Sequence, residues 1–304
     1  MDPFVRQVLV YGANGVQGGA IARRLQELGF AVRGAVRDPA KSQGLRQAGV
    51  EVVAIDLDDE ASLRRASDGM HAVVLTPPLD WNRSRVLRHS ENAVRAARLA
   101  GVPRLVLNTA TRIPAEITDA PAFEIRRAIE DIVLDSGVPN AILRPPMYLD
   151  NLDSPWISEA LHRDGVLVYP VVDSVRMAWM AVRDLGSYAA VVLRDSSLLG
   201  RRFDVGGPEA LSGPELAMAL GRGLGHPVRY VAITPEAIAA GLTESMGSEV
   251  AQGIAKTYAY LAQHPETELF ETSEELRSRL AQPLTSAEEF ARARRVPVPV
   301  AKQA

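Results

Sequence analysis

The amino-acid sequence predicts an α/β fold: a doubly wound parallel sheet with a smaller α+β domain at its C-terminal end. Three observations support this prediction. Short β-branched and aliphatic runs without polar alternation recur through the first half of the chain, as in strands buried on both faces. Amphipathic runs with helical spacing separate those apolar runs. Four glycines stand between the first apolar run and the first amphipathic run, where a turn would join strand to helix.

The composition excludes several classes of function. Of the 304 residues 47% are hydrophobic and 23% are charged, which is typical of a globular protein, and a net charge of −3 argues against a nucleic-acid partner. The absence of cysteine excludes disulfides and thiolate metal sites, and we see no metal-ligand cluster. The N-terminal segment lacks a signal-peptide pattern, and no apolar stretch approaches the roughly 18 residues of a membrane span. We therefore expect a cytoplasmic protein that binds no metal, membrane or nucleic acid.

The first strand and the first helix frame the glycine cluster. "QVLVY" (Gln7–Tyr11) is a short apolar run, which predicts a strand buried on both faces. The run after the glycines places Ile21, Leu25 and Leu28 at helical spacing, and Gly29 is expected to end that helix. A strand, a glycine-rich turn and a helix are thus predicted at the start of the chain.

The glycines have the spacing G-x-x-G-x-x-G, which favours a phosphate-binding turn. Gly12 allows the tight turn, Gly15 lets a pyrophosphate approach the backbone, and Gly18 lets the helix pack close to the strand. The anion would bind the free N–H groups at the helix N-terminus. A merely tight turn is the alternative. The pattern predicts a Rossmann-type dinucleotide site, in which the remaining loop contacts are Asn14, Val16 and Gln17.

The end of the second strand predicts which dinucleotide binds. This strand is expected within Ala31–Pro39, and NAD sites carry an acidic residue at its end, bonded to the ribose 2′-hydroxyl. Here the position holds Arg37, whose guanidinium suits a 2′-phosphate, and Arg33 is a second possible contact. Asp38 is expected to cap the following turn. A solvated surface arginine is the alternative for Arg37; we predict NADP(H) over NAD(H).

Further strands and helices alternate along the first half. Strands are predicted within Val50–Asp59, His71–Pro78, Pro103–Arg112 and Asn140–Tyr148, with helices over Ser84–Gly101 and Ala122–Gly137. Ligands of such sheets bind beyond the carboxyl ends of the strands. The predicted cofactor contacts at those ends are Asp56, Leu57, Thr76, Pro77, Asn108 and Pro145.

The sequence resembles the NmrA-like branch of the atypical short-chain dehydrogenases. The resemblance rests on "GANGVQGGAIARRL", "VRDPAK", "GVEVVAIDLDDEASLRRASDGMHAVVLTPP", "GVPNAILRPPMYLDNL" and "MAWMAVRDLG". It implies a dinucleotide-binding domain over residues 1–150 and a smaller domain over 151–304 that covers the nicotinamide, with some later strands able to rejoin the main sheet. Members of the family are NAD(P)H-dependent reductases of quinones, phenolics or dyes, or inactive redox sensors that bind NADP(H) and regulate partners.

The resemblance also raises the question of catalysis. Typical short-chain dehydrogenases use Tyr-x-x-x-Lys, in which the tyrosine donates the proton and the lysine lowers its pKa and holds the ribose. Alignment places Ala122 and Arg126 at those two positions, so the tyrosine relay is missing. Arg126 could still hold ribose hydroxyls, and a solvated helix residue is its alternative. Thr109 matches the usual serine, with local backbone bonding as its alternative, and Tyr148 could donate a proton from the opposite side.

The second half predicts the substrate side of the site. An apolar pocket is expected, with core packing as the alternative for each of its walls, Met147, Trp156, Trp179, Met180 and Tyr258. Asp184 is expected to cap a helix, and the proline-rich tail Arg294–Ala304 to be extended.

Together these features predict an NADP(H)-binding oxidoreductase that transfers hydride from NADPH to a quinone-like or conjugated carbonyl compound. The alternative is an inactive NADP(H)-binding redox sensor with a protein partner. An isomerase would need an acid–base pair that we do not find. The expected substrate is apolar or aromatic, and the expected state is a monomer or homodimer.

Overall fold

The computed structural model describes residues 6–265 and 272–294. A central sheet of seven parallel strands has the order β3-β2-β1-β4-β5-β6-β8. These strands are β1 (Gln7–Tyr11), β2 (Ala31–Val36), β3 (Glu51–Ala54), β4 (Ala72–Leu75), β5 (Leu105–Asn108), β6 (Asn140–Arg144) and β8 (Arg201–Asp204). The strand order reverses between β1 and β4, as in a doubly wound sheet. The predicted α/β class and parallel sheet are confirmed.

Helices cover both faces of this sheet. One face carries α1 (Val16–Glu27) and α7 (Val182–Arg194). The other face carries α3 (Glu60–Ser67), α4 (Arg83–Leu99) and α5 (Pro121–Leu134), and the short α2 (Gln43–Gln47) precedes β3. Along β1, Val8 and Val10 pack on the face that α1 and α7 cover, whereas Leu9 and Tyr11 pack on the face that α3, α4 and α5 cover. This alternation explains the continuous apolar run, because each face of the strand is buried.

A second apolar core forms beside the main sheet. It is built around a parallel pair, β7 (Val166–Tyr169) and β9 (Arg229–Ala232). The surrounding helices are α6 (Pro155–Asp164), α8 (Gly213–Leu224), α9 (Pro235–Met246), α10 (Ser248–Gln263) and α12 (Ala287–Arg292), while α11 (Glu274–Arg277) packs on α7. Capping boxes begin α8 at Ser212 and α12 at Ser286, and Thr234 caps α9. Serine and threonine at these positions are typical of helix N-termini.

One helix and one strand after residue 150 pack with the main sheet. Helix α7 packs along α1, and β8 pairs with the outer edge of β6. The buried carboxylate of Glu130 helps to hold this edge, because it binds Arg144 on β6 and Arg202 on β8. One later strand, β8, therefore rejoins the main sheet. The division of the chain at residue 150 stays a prediction.

The expectation that Asp184 caps a helix is wrong. Helix α7 follows Ala181 as its N-cap residue, so Asp184 already lies within the first turn. The N–H of Val182 is instead bound by Asp150 Oδ2 at 2.7 Å. Asp184 accepts hydrogen bonds from the N–H of Thr285 at 2.8 Å and its hydroxyl at 3.2 Å, and burial raises the pKa of this carboxyl. Asp184 thus ties the segment before α12 to α7.

Apart from Arg294, the proline-rich tail that was expected to be extended lies outside the described residues. Among the helices that the structure describes, none is both long and apolar enough to cross a membrane.

Candidate cofactor and active site

The glycine turn has the geometry of a phosphate-binding loop. Gly12 adopts a φ of +68°, which side chains disfavour, and a Cβ on Gly18 would lie 2.3 Å from the carbonyl oxygen of Gly12. Helix α1 begins after Gly15, and its first intrahelical bond runs from the N–H of Gly19 to the oxygen of Gly15. The earlier N–H groups of α1 have no intrahelical partner, and its first turn carries neither a side-chain cap nor an acid. The turn therefore suits an anion.

Asn14 connects this turn to the loop after β2. Its Nδ2 donates to the carbonyl of Asp38 at 3.0 Å, and its Oδ1 accepts from the buried Ser42 hydroxyl at 2.7 Å. The Asp38 carboxylate accepts from the N–H of Ala40 and caps a short 3₁₀ turn, as expected. The Asn14 side chain thus orients the loop that carries Arg37.

The two arginines of β2 and its following loop differ in role. Arg37 is exposed beyond the carboxyl end of β2 and makes no hydrogen bond or ion pair within the described chain. Lys41 is exposed in the same loop, with its Nζ 3.7 Å from Asp38 Oδ2. Arg33 binds Glu51 at 3.0 Å and the carbonyl of Ala66 at 3.0 Å. The expectation that Arg33 contacts cofactor is wrong, because its register partner is the first residue of β3, at the far end of the sheet.

The loop after β3 lies beside the loop that carries Arg37. Asp56 Oδ1 accepts from the N–H of Asp58 at 2.9 Å, and the carbonyl of Leu57 accepts from Asn92 at 2.8 Å. These bonds hold Asp56 and Leu57 beyond the carboxyl end of β3. In a dinucleotide fold this position borders the adenosine.

Tyr148 donates its hydroxyl proton to Gln17. Asn108 Oδ1 accepts from the backbone N–H of Ala110 at 3.0 Å, which fixes Nδ2 as the group that faces Gln17. Nδ2 then donates to Gln17 Oε1 at 2.7 Å, and the Tyr148 hydroxyl lies 3.2 Å from the same oxygen. Because Gln17 presents its carbonyl oxygen, the tyrosine must be the donor. Burial raises the pKa of Tyr148 well above its ordinary value.

Arg126 is the unusual charge of this site. It lies on α5 with 3% of its surface exposed, so its alternative as a solvated helix residue is wrong. One terminal nitrogen, NH2, donates to the carbonyl of Pro78 at 3.0 Å, whereas the buried NH1 has no hydrogen-bond partner among the described residues. Burial lowers the pKa of Arg126 to about 10, so the group stays charged at neutral pH. Thr76 Oγ1, next to Pro77, is also buried without a partner in the described chain.

The Thr109 hydroxyl lies against backbone carbonyl groups. It is fully buried, 2.6 Å from the carbonyl oxygen of Thr111 and 3.2 Å from that of Leu143. The neighbouring Ala110 has a left-handed φ of +63°, supported by its bond to Asn108. The geometry favours the local backbone role for Thr109.

The remaining predicted residues separate into two groups. Three predicted cofactor contacts lie in the crevice. Val16 begins α1 and is 69% exposed, whereas Pro77 after β4 and Pro145 after β6 are buried. The predicted pocket walls lie mainly in the cores. Trp179 and Met180 are buried, and the Tyr258 hydroxyl bonds to Tyr169 at 2.7 Å. Met147 and the half-buried Trp156 also pack in or against the second core. Core packing therefore describes these side chains better than a pocket.

Two exposed apolar side chains near α5 were not predicted from the sequence. Leu79 is 52% exposed and follows Pro78, the partner of Arg126. Ile117 is 84% exposed in the loop before α5, and the carbonyl of Glu116 beside it binds Arg127. The sequence signal for Leu79 is an apolar residue in a loop that follows a strand. Both flank the N-terminal half of α5.

The sheet order, the glycine turn and the charged crevice define a Rossmann-type dinucleotide-binding protein. Within that class, the chain belongs to the NmrA-like family, whose model matches residues 5–291.

Several known proteins of similar sequence or structure are reductases by name. An NAD(P)H azoreductase of Xenophilus azovorans is 30% identical over 83% of this chain and 86% of the relative. The (4-alkanoyl-5-oxo-2,5-dihydrofuran-3-yl)methyl phosphate reductase of Streptomyces griseus subsp. griseus is 32% identical over 91% of this chain and 94% of the relative. The NADP(H) complex of Citrobacter sp. triphenylmethane reductase superposes with a TM-score of 0.77 at 22% identity, covering 94% of this chain and 99% of that one.

Proposed function

We propose that this protein is an NADP(H)-dependent reductase that transfers hydride from NADPH to a quinone-like or conjugated carbonyl compound. The observation that carries the proposal is the buried Arg126 guanidinium, whose NH1 has no partner in the described chain, next to Tyr148 at the ends of β4 and β6. A charge left unmatched in a crevice is typical of a ligand site. Two relatives at 30% identity or above are named reductases.

The residues of the crevice fit a dinucleotide from end to end. The pyrophosphate would bind the free N–H groups at the start of α1, where Gly18 leaves no room for a side chain. The 2′-phosphate would bind the exposed Arg37 and Lys41, which favours NADP(H) over NAD(H). Asp56 and Leu57 would hold the adenosine. The nicotinamide half would be held at the ends of β4, β5 and β6 by Thr76, Pro77, Asn108, Pro145 and Arg126.

The chain supplies orientation and charge. Bound NADPH supplies the hydride, and a quinone accepts it readily because its reduced form is aromatic. Ala122 stands where a proton-donating tyrosine is usual, and the Tyr148 proton is directed to Gln17. Solvent is therefore the proton source that we propose. The Arg126 guanidinium stabilises negative charge beside the reacting groups, and Thr109 maintains the backbone at the end of β5.

Cofactor binding and turnover test this proposal together. Calorimetry should show tighter binding of NADPH than of NADH, and NADPH oxidation should exceed the buffer rate with several quinones and conjugated enones. Gly15→Val serves as the control, because a side chain at that position should block the pyrophosphate and abolish both signals.

A redox sensor is the second candidate function, and the absence of a tyrosine at Ala122 favours it. If the wild-type protein binds NADPH tightly but oxidises it no faster than buffer across the whole panel, the reductase proposal fails. The sensor would then be the better account, and a protein partner would be expected. The cytoplasmic location and the monomeric or homodimeric state stay predictions.

A further inference from the structure

The positive charge of Arg126 has no negative counterpart among the residues that the structure describes. The acid on the same turn of α5, Glu124, pairs with Arg127 at 3.1 Å. Arg127 also binds the carbonyls of Pro114 and Glu116, so its charge is well satisfied. Arg126 points the other way, to the carbonyl of Pro78, and no described carboxylate lies within ion-pair distance of it.

Such a charge acts on whatever lies beside it. A buried cation is poorly screened, so it stabilises nearby negative charge and disfavours a second positive charge more strongly than a surface cation would. Among the titratable groups of residues 6–265 and 272–294, Tyr148 has an electrostatic effect on Arg126, and its hydroxyl is neutral at physiological pH because burial raises its pKa. The charge of Arg126 is therefore available to a ligand.

We infer that Arg126 makes the site select acceptors by charge. It favours neutral acceptors that become oxyanions on receiving hydride, such as quinones and conjugated carbonyls, and disfavours cationic acceptors such as triarylmethyl dyes. This inference rests on the proposed function and names the substrate class of the same site.

The charge balance of the two reactions explains the selection. A quinone that receives hydride gains two electrons and becomes a hydroquinone monoanion, which then takes a proton from water, while NADPH is oxidised to NADP⁺. The negative oxygen develops beside Arg126 and is stabilised. A triarylmethyl cation receives the same hydride at carbon and becomes a neutral leuco compound, with no proton required. Its positive charge must first enter beside Arg126, which opposes binding.

The test compares two acceptors and three variants. We would measure kcat/KM for menadione and for malachite green, a triarylmethyl cation, with wild type, Arg126→Met and Arg126→Lys. Wild type should prefer menadione. Arg126→Met should lower the menadione-to-dye ratio by about 10- to 100-fold, the effect of one unit charge at short range inside a protein. Arg126→Lys should keep the ratio within about threefold. The exposed Arg98→Met removes the same charge from the surface and should leave the ratio unchanged.

Cofactor binding gives a readout that does not need turnover. The oxidised nicotinamide ring is positive and the reduced ring is neutral, so Arg126 should favour NADPH over NADP⁺. Calorimetry should show this preference in wild type and a loss of about tenfold in Arg126→Met. If Arg126→Met unfolds, Arg126→Gln carries the same comparison.

The results separate this inference from the proposed function. Equal losses for both acceptors and for both cofactor forms would overturn the inference, because Arg126 would then be binding uniformly or serving the fold. A wild-type protein that reduces no acceptor would overturn the proposed function, and the NADPH-to-NADP⁺ ratio would still decide whether Arg126 reads charge.

Discussion

The Tyr148 hydroxyl donates a 3.2 Å hydrogen bond to Gln17 Oε1, joining positions 131 residues apart. The direction of this bond follows from a backbone amide, because the N–H of Ala110 fixes Asn108 and Asn108 fixes Gln17. The tyrosine proton therefore faces helix α1. A side chain that follows the sixth strand, and that the sequence offered as a proton donor, has its proton committed elsewhere.

Removing this hydroxyl should affect chemistry little. We expect Tyr148→Phe to change kcat/KM for quinones by less than about threefold and to cost about 1 kcal/mol of stability, because one buried hydrogen bond is lost. Steady-state rates and thermal unfolding measure the two effects. Tyr169→Phe, which removes a buried hydroxyl bonded to Tyr258, is the matched control for stability. A loss of 100-fold or more in rate at unchanged NADPH affinity would instead identify Tyr148 as the acid, on the scale usual for general acids.

Arg37 should determine the choice of cofactor. We expect Arg37→Ala to weaken NADPH binding by about 1–3 kcal/mol and to leave NADH binding almost unchanged, because a charge-assisted bond to the 2′-phosphate is lost. Calorimetric titration of both cofactors checks this. Arg33→Ala is the contrasting variant, since it breaks the bonds to Glu51 and Ala66 at the far end of the sheet. It should lower stability without altering the NADPH-to-NADH ratio, and equal losses of both cofactors in Arg37→Ala would contradict the assignment.

The glycines should separate binding from folding. A Cβ at Gly15 would lie 3.2 Å from the oxygen of Gly12, a contact that a shift of a few tenths of an ångström relieves. Gly15→Val should therefore keep its fold, but its side chain should block dinucleotide binding. A Cβ at Gly18 would lie 2.3 Å from the same oxygen, so Gly18→Ala should lower stability by about 2 kcal/mol or more through steric strain. Denaturant unfolding, circular dichroism and cofactor titration report these effects. Wild-type binding by Gly15→Val would refute the pyrophosphate assignment.

Removing the charge of the Glu130 carboxylate should lower the stability of the protein more than removing an exposed charge. It is 2% exposed and binds both Arg144 and Arg202 at the edge where β8 joins the sheet. We expect Glu130→Gln to destabilise the protein by about 3–5 kcal/mol, because two arginines lose a buried partner. Chemical unfolding measures this loss. Glu159→Gln, which breaks an exposed pair with Arg163, should cost less than about 1 kcal/mol, and similar values for the two variants would show that burial is not decisive.

Several predictions depended on local pattern alone, and these are confirmed. The strands of the first half and the glycine turn with its left-handed Gly12 were predicted from neighbouring residues. Their physical causes act within one turn or one strand. The family and the reductase class followed from the same motifs, in agreement with the family model and with the names of the relatives.

The sequence by itself determined the alternation of strands and helices in the first half of the chain and the place of the glycine turn, because hydrophobic period and glycine spacing are local properties. Only the tertiary structure decided the partners of individual polar side chains. The sequence offered Arg37 as the phosphate contact and Arg33 as a second one, yet register pairs Arg33 with Glu51 and leaves Arg37 exposed. For Arg126 the sequence left ribose binding and a solvated helix residue open, and the tertiary structure buries the side chain against Pro78. Burial and pairing depend on residues far apart in the chain, and local periodicity carries no information about them.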